Sequence, residues 1–424
     1  MRVQIPPRAE KYLPDNPNEQ KDNFILFFYY PTQFFWPLYD NNMNLLEVEG
    51  SYYEMGFQQG VTFSSDIKNS FFRLVNSKPI KSLKPKFFPK FLFSKILKYI
   101  VYKKWEKPIK ILLPEYSERI RGIADGAKVK LSDLYIIQAI EVLADDVSSL
   151  IEYPKQVSFG CSSICVLQNI IKSPQIIVGK NFDYISDFVS DNIVRISKPK
   201  NGYKSIEVTY KQIAGSHDGM NEKGLVVLYN YGLSTEKVQT RVPITILVQQ
   251  ILERCSNIDE AITFIKTFRY PNGAILTLVD TTNRAICVEI TPEHIGYRKP
   301  QDGVLVATNF YLSDEVKNFD IPHNAVFKTK GVAKELQGKP VHQSSIQRYN
   351  RITELVKKFS RIGIEEIKHI LKDHNGKVSG VDDSVCRHGE WISTQVSMIF
   401  LPKQRKFLYT IGHPCEGQYI EFEL

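Results

Sequence analysis

The chain has no uninterrupted apolar run long enough to cross a bilayer. Its first fourteen residues, with Pro6, Pro7 and Pro14, lack the continuous apolar core of a secretory signal. Residues 24–36 are apolar and aromatic, but the stretch is short and broken by Pro31, so it reads as an extension that packs on the body. Cysteine is scarce. The six in 424 residues (Cys161, Cys165, Cys255, Cys287, Cys386 and Cys415) do not make a disulfide framework, and a reducing cytoplasm is the expected setting. No Rossmann glycine motif or P-loop occurs, so no nucleotide cofactor is expected. Cys161 and Cys165 have no matching His/Cys pair at zinc-finger spacing, and no metal is expected either. The net charge of +9 comes from lysines spread through the whole sequence without a nucleic-acid-binding motif, which argues against a nucleic-acid partner.

What is present is enough apolar residue, 43%, for one large core or two smaller ones. Residues 45–50 read as a strand leading into Ser51-Tyr52-Tyr53-Glu54-Met55-Gly56-Phe57-Gln58-Gln59-Gly60. Its two glycines lie four apart and would let another backbone approach. Residues 78–110 are basic and aromatic, which suits a helical cap or contact with a membrane surface. Residues 157–159 and 164–168 read as strand and 176–179 as its antiparallel partner, with turn residues between 169 and 175. Such a hairpin puts Cys161 and the Asn181/Asp183 pair at the same end. Taken alone, Cys161 also reads as a buried core thiol, since free cysteine is among the most buried residue types.

Alternating strands are expected at 192–198 and 205–210, a turn over Asp218-Gly219-Met220-Asn221-Glu222-Lys223-Gly224, and a strand over 225–229 ending at Asn230. Helices are expected over 243–255 and 258–268, then strands at 274–279, 285–290 and 304–309. A helix starts near Ser344 and Ser345, with serine as its N-cap, and strands at 398–401 and 406–411 close the chain. This order suggests sheets with helices packed outside them.

Gly160-Cys161-Ser162-Ser163 followed by Gly179-Lys180-Asn181-Phe182-Asp183 resembles the acyl-coenzyme A:6-aminopenicillanic acid acyltransferase family. These are cysteine N-terminal nucleophile (Ntn) hydrolases related to choloylglycine hydrolases and acid amidases. The Tyr-Glu-x-Gly-x-x-x-Gly element at 53–60, the helix at 118–127, Thr308-Asn309, the Ser-Ser-x-x-Arg-Tyr element at 344–349 and Cys386-Arg387-His388 extend the resemblance to about residues 46–412. It implies an α+β fold, a four-layer αββα sandwich of two antiparallel sheets flanked by helices. Residues 1–45 are then an N-terminal helical and aromatic extension and 46–424 a single domain, divided by self-cleavage at Gly160-Cys161 into a 46–160 segment and a 161–424 segment that stay associated.

The implied activity is that of an amidohydrolase or acyltransferase acting on an N-acyl amide or acyl thioester through a cysteine thioester. Cys161 is then the nucleophile. A thiol with a reference pKa of about 8.5 needs a base, and a freed α-amine of about 7.7 to 8.0 supplies one without any histidine. The resemblance assigns Asp183 to holding that amine, and Asn309 and Asn230 to donating hydrogen bonds to the oxyanion or substrate. Lys180, Asn181 and Arg348 support them. Lys180 stands where many amide-hydrolysing relatives carry arginine, so a point charge replaces a planar fork. It could hold an anionic group on the substrate, while Phe71, Phe72, Phe87, Phe88 and Phe91 wall an apolar acyl pocket. A rival use of His388 as the base of a Cys/His protease lacks papain-like residues around Cys161. A different class of reading is a non-catalytic Ntn-fold scaffold that binds a membrane or a partner through its basic aromatic segment.

Overall fold

The fold was obtained as a computed structural model that describes residues 38–40, 44–76, 90–139, 160–167, 176–236, 242–268, 270, 272–327 and 336–424. The β-branched and aromatic runs form two sheets. Nine strands make the first: β1 (Leu38–Asp40), β2 (Leu45–Gly50), β5 (Asn192–Pro199), β6 (Ser205–Tyr210), β7 (Asp218–Asn221), β8 (Val226–Gly232), β9 (Gly273–Val279), β10 (Ala285–Ile290) and β11 (Ile295–Arg298), in that order. The second has six, in the order β12 (Val304–Ala307), β3 (Gly160–Val166), β4 (Ile177–Ile185), β13 (Ile392–Leu401), β14 (Lys406–Ile411) and β15 (Ile420–Glu423).

Period-2 alternation gives each sheet an inner and an outer face. On β3, Cys161 and Cys165 enter the main core between the sheets, whereas Ile164 and Val166 join a second cluster under two helices, α9 (Gln343–Lys358) and α10 (Ile364–Leu371). The outer face of the nine-stranded sheet carries charge. Arg195 on β5 donates to Glu207 on β6 at 2.8 Å, and to Gln59 and Gln249 on two covering helices at 2.9 Å each. Those helices are α1 (Tyr52–Thr62) and α7 (Ile244–Arg254). The layer order is therefore helix, sheet, sheet, helix, as the resemblance implied.

Helix α1 opens on a capping box, Ser51 Oγ accepting from Glu54 N–H and the Glu54 carboxylate accepting from Ser51 N–H. It packs on α5 (Pro114–Ala127) through glycine on both sides. A Cβ on Gly56 would collide with the Arg119 carbonyl, on Gly60 with that of Ile123, on Gly122 with that of Tyr53, and on Gly126 with that of Phe57. Glu253 ties α7 to α1 and α5: Tyr52 and Tyr116 hydroxyls each donate to it at 2.8 Å, and Arg119 pairs with it at 3.3 Å while donating to Ser197 of β5 at 2.9 Å. Between α1 and α5 the chain forms α2 (Ser64–Asn76), α3 (Lys90–Val101) and α4 (Lys107–Leu112). The expected cap is helical from residue 90. Val101, Trp105 and Ile109 are buried, and Ile96, Tyr99, Tyr102, Ile111 and Leu112 are exposed. No described helix is long and apolar enough to cross a membrane.

Several expectations need correction. The sheets are not wholly antiparallel, because β2 pairs with β5 in parallel. Strand pairing also begins ahead of residue 46, with β1 on β2. Asp218 to Asn221 is a strand despite its turn-like composition. Gly219 lets Ile206 and Leu252 close over it, and the Asn221 amide ties the end of α7 by bonds to Leu252 O (2.8 Å) and Cys255 O (2.7 Å). Asn230 does not end its strand, since β8 runs on to Gly232 opposite Gly273. Helix α9 starts at Gln343 with no side-chain cap; Ser344 Oγ instead donates to Asp382 O at 3.0 Å. β11, α10 and β15 were not anticipated. The N-terminal extension up to residue 37, the strand at 157–159 and the turn at 169–175 lie outside the described residues, as do the side chains of Phe71, Phe87, Phe88 and Phe91. Phe72 is 70% exposed.

Since neither helix backbone can withdraw without uncovering the core, Gly56→Ala is expected to lower stability by about 2–3 kcal/mol in urea unfolding. Lys68→Ala, on the exposed face of α2, should change it by less than about 0.5 kcal/mol.

Candidate active site

β3 and β4 pair antiparallel with Cys161 and Asp183 at the same end, as the sequence suggested: Gly160 faces Asp183 and Cys161 faces Phe182. Adjacent pairs project to opposite faces of a sheet, so the thiol points between the sheets and the Asp183 carboxylate points outward beneath α9. Both are buried. Burial pushes the Cys161 thiol up to about 11, against the opposing pull of the Lys180 ammonium. Burial likewise raises Asp183 to about 6, with Arg348 and Arg387 acting the other way. Asp183 Oδ1 accepts from the Thr394 hydroxyl at 2.8 Å, and Oδ2 is buried with no hydrogen-bond partner among the described residues.

Two side chains hold the backbone of Cys161. Its N–H donates to Asn309 Oδ1 at 2.8 Å, and its carbonyl accepts from Arg348 Nη1. Arg348 also donates to Ser162 Oγ at 2.8 Å and Asn309 Oδ1 at 3.2 Å, and lies 3.9 Å from Asp183 Oδ2. Asn309 sits two residues beyond β12, and one of its amide hydrogens goes to Tyr231 O at 2.8 Å, leaving the other. Asn230 reaches the same strand end by a different route. Its amide donates to Ala307 O (3.0 Å) and Thr308 O (3.1 Å), while Oδ1 is buried with no described partner. The donor expected of Asn230 is thus committed to backbone.

Lys180 and Asn181 are supports of another kind. Lys180 is fully buried and bonds Asp218 and the carbonyl of Tyr229, so it ties β4 to the facing sheet and is not placed to meet a substrate anion. Asn181 donates to Leu371 O and Val385 O at 2.8 Å each, fastening α10 and the loop that carries residues 385–388. His388 lies on two sulfurs, those of Cys386 and Cys415, at 3.3 Å each.

One residue of the site was not singled out from the sequence. Arg387 Nη1 occupies the space where Gly160 has no Cβ, buried and with no described hydrogen-bond partner, while its Nε and Nη2 bond Asp382. The signal was the Cys-Arg-His element, read there for its cysteine and histidine. The missing side chain of Gly160 therefore makes room for a guanidinium beside the Gly160-Cys161 bond.

A family model described as acyl-coenzyme A:6-aminopenicillanic acid acyl-transferase matches residues 172–416, more than half of the chain. The chain belongs to this family. The matched stretch starts after Cys161 and contains Asp183, Asn230, Asn309, Arg348 and Arg387. The beta-alanyl-dopamine/carcinine hydrolase of Drosophila melanogaster is 28% identical over 234 residues, 52% of this chain and 57% of that protein. An uncharacterized protein of Archaeoglobus fulgidus is 19% identical over 241 residues, 53% of this chain and 39% of that one. The chain thus spans about half the length of these curated relatives. Among solved structures, a mutant conjugated bile acid hydrolase from Clostridium perfringens aligns with a TM-score of 0.39 at 17% identity, over 62% of this chain and 97% of that one. The N-acylethanolamine-hydrolyzing acid amidase ortholog of Caenorhabditis elegans gives 0.39 at 14% identity, over 57% and 93%.

The placement of Lys180 has a measurable consequence. Lys180→Met leaves Asp218 buried without its cation and should cost about 3 kcal/mol or more in urea unfolding. The double change Lys180→Met/Asp218→Asn should recover most of that loss, which a substrate-binding lysine would not show.

Proposed function

We propose that this chain is a self-processing amidohydrolase or acyltransferase with Cys161 as its nucleophile. The observation that carries the reading is the convergence of Asn309, Arg348, Arg387 and Asp183 on one peptide bond, Gly160-Cys161. In processing, the thiolate adds to the Gly160 carbonyl carbon, the C–N bond breaks, and the nitrogen takes a proton to become the α-amine of Cys161. Water then opens the Gly160 thioester, leaving a carboxylate and a free thiol. In turnover, the same thiol attacks the acyl carbon of an N-acyl amide, and water or an amine opens the thioester.

The sheet alternation supports the α-amine as the base. Asp183 belongs to the opposite face from the thiol and approaches the backbone side of Cys161, where its unpartnered Oδ2 and the Asn309 Oδ1 are acceptors for an ammonium. The remaining amide hydrogen of Asn309 is the proposed oxyanion donor, and Arg387 Nη1 is a further donor beside the scissile bond. The substrate class is an acylated amine, in keeping with a relative named for beta-alanyl-dopamine. The apolar acyl group expected from the aromatic segment has no support from the described side chains.

Purified protein is expected to give two fragments, 1–160 and 161–424, that co-elute in gel filtration, the second with Cys161 at its N-terminus. Cys161→Ala should remain one chain and hydrolyse no N-acyl amide. A sequence starting elsewhere, or turnover by the alanine variant, overturns the assignment.

The supporting residues should separate in kind. Asn309→Ala is expected to lower kcat about 10²-fold or more with KM little changed. Asp183 is raised to about 6 in the uncut chain, so it loses its charge, and its hold on Arg348, as pH falls through that value. Below pH 6 the fall in self-cleavage rate with falling pH should steepen by about a further tenfold per pH unit beyond the loss of thiolate alone, and Asp183→Asn should be slow at every pH without that added steepness.

A further inference from the structure

Away from Cys161, four side chains of the C-terminal part of the chain meet: His374, Cys386, His388 and Cys415, each with one nitrogen or sulfur within 4.8 Å of the others. Cys386 Sγ is 3.6 Å from Cys415 Sγ, and both are 3.3 Å from His388 Nε2. Around a tetrahedral zinc, bonds of about 2.3 Å to sulfur and 2.0–2.1 Å to nitrogen put two sulfurs about 3.8 Å apart and a sulfur and a nitrogen about 3.6 Å apart. The spacing fits that polyhedron and is far beyond the roughly 2.05 Å of a disulfide. The rings of His374 and His388 are 5.0 Å apart and nearly perpendicular. His374 Nε2 is buried with no hydrogen-bond partner among the described residues, a cost that a metal bond removes.

We propose that these four residues form a Cys2His2 zinc site of the closed, structural kind. The surroundings brace it. Gly380 lies so close to the His388 ring that a Cβ there would strike it, and His413 stacks on that ring with centroids 3.7 Å apart. Cys386 N–H donates to Asp373 O at 3.0 Å, which holds two neighbouring ligand positions together. The ion would clasp the segment after α10 to the turn after β14, and Arg387 lies between two of its ligands. Its role is to fix the loop that lays Arg387 against Gly160. The site does not depend on the chemistry proposed for Cys161, because its metal content is read directly.

The test uses the full chain purified under reducing conditions. Elemental analysis is expected to give one zinc per chain. After chelation, Co²⁺ alone should produce a thiolate-to-cobalt charge-transfer band and the strong visible bands of a tetrahedral centre, abolished by Zn²⁺. Cys415→Ser should reduce the charge-transfer band by about half and weaken zinc binding by more than the ~10–100-fold that loss of a supporting contact costs. Cys386→Ser/Cys415→Ser should abolish the band, and Cys255→Ser, outside the cluster, should leave it intact; circular dichroism checks that each is folded. A reduced wild-type chain that takes up neither metal, a Cys386–Cys415 disulfide in its place, or an unchanged cobalt spectrum in the double variant would each overturn the proposal.

Discussion

Burying a guanidinium costs several kcal/mol unless its N–H groups find oxygen. Arg348 meets that condition only where it stands. Its Nε bonds Ser344, Nη1 bonds the Cys161 carbonyl and Ser162, and Nη2 bonds Asn309 and Ser345. Those partners come from β3, from α9 and from the segment after β12, so one cation fixes the relative position of an inner strand, an outer helix and a strand end. Asp183 supplies the nearest countercharge and is held by Thr394 on a fourth element, β13. A shift of any one would leave a buried charge short of a partner, which is a stronger constraint than apolar packing alone imposes.

The nine-stranded sheet uses the same device on its other side. Arg195 with Glu207, and Arg119 with Glu253, are buried pairs further bonded by Gln59, Gln249, Tyr52, Tyr116 and Ser197. Pairs of this sort add little net stability compared with apolar residues of similar shape, but removing one member is costly. They make the contact between helix layer and sheet particular to one register.

Much of this was legible in the sequence where a local rule acted alone. The β3–β4 hairpin, β5, β6, β9, β10, α7 and α8 (Ile258–Lys266) follow from apolar alternation, turn residues and a first-turn acidic pair. The glycine pair of α1 was visible as spacing, and its close approach to α5 follows from the missing Cβ atoms on both helices. What failed was set by partners far along the chain. Asp218-Gly219-Met220-Asn221 has turn composition, yet it is a strand because β6, β8 and the end of α7 surround it. Lys180 reads as an anion-binding side chain until Asp218 is placed on it. Arg387 was hidden for a similar reason: nothing within its own segment reveals that Gly160, more than two hundred residues earlier, leaves the space it fills.

The contacts of the glycine pair also fix a direction. Gly56 meets Arg119 and Ile123, and Gly60 meets Ile123 and Ala127, so residue numbers rise together on the two helices and α1 and α5 run parallel. Two antiparallel helices can be joined by a few residues, but two parallel ones cannot. The end of the eleven-residue α1 lies about 16 Å from its start at 1.5 Å per residue, and the chain must travel back over that distance before α5 can begin. The basic helical excursion of α2 to α4 is that return path. Its existence is a topological debt of four glycines, so shortening it to a tight loop would force α5 to reverse and would take Arg119 away from Glu253.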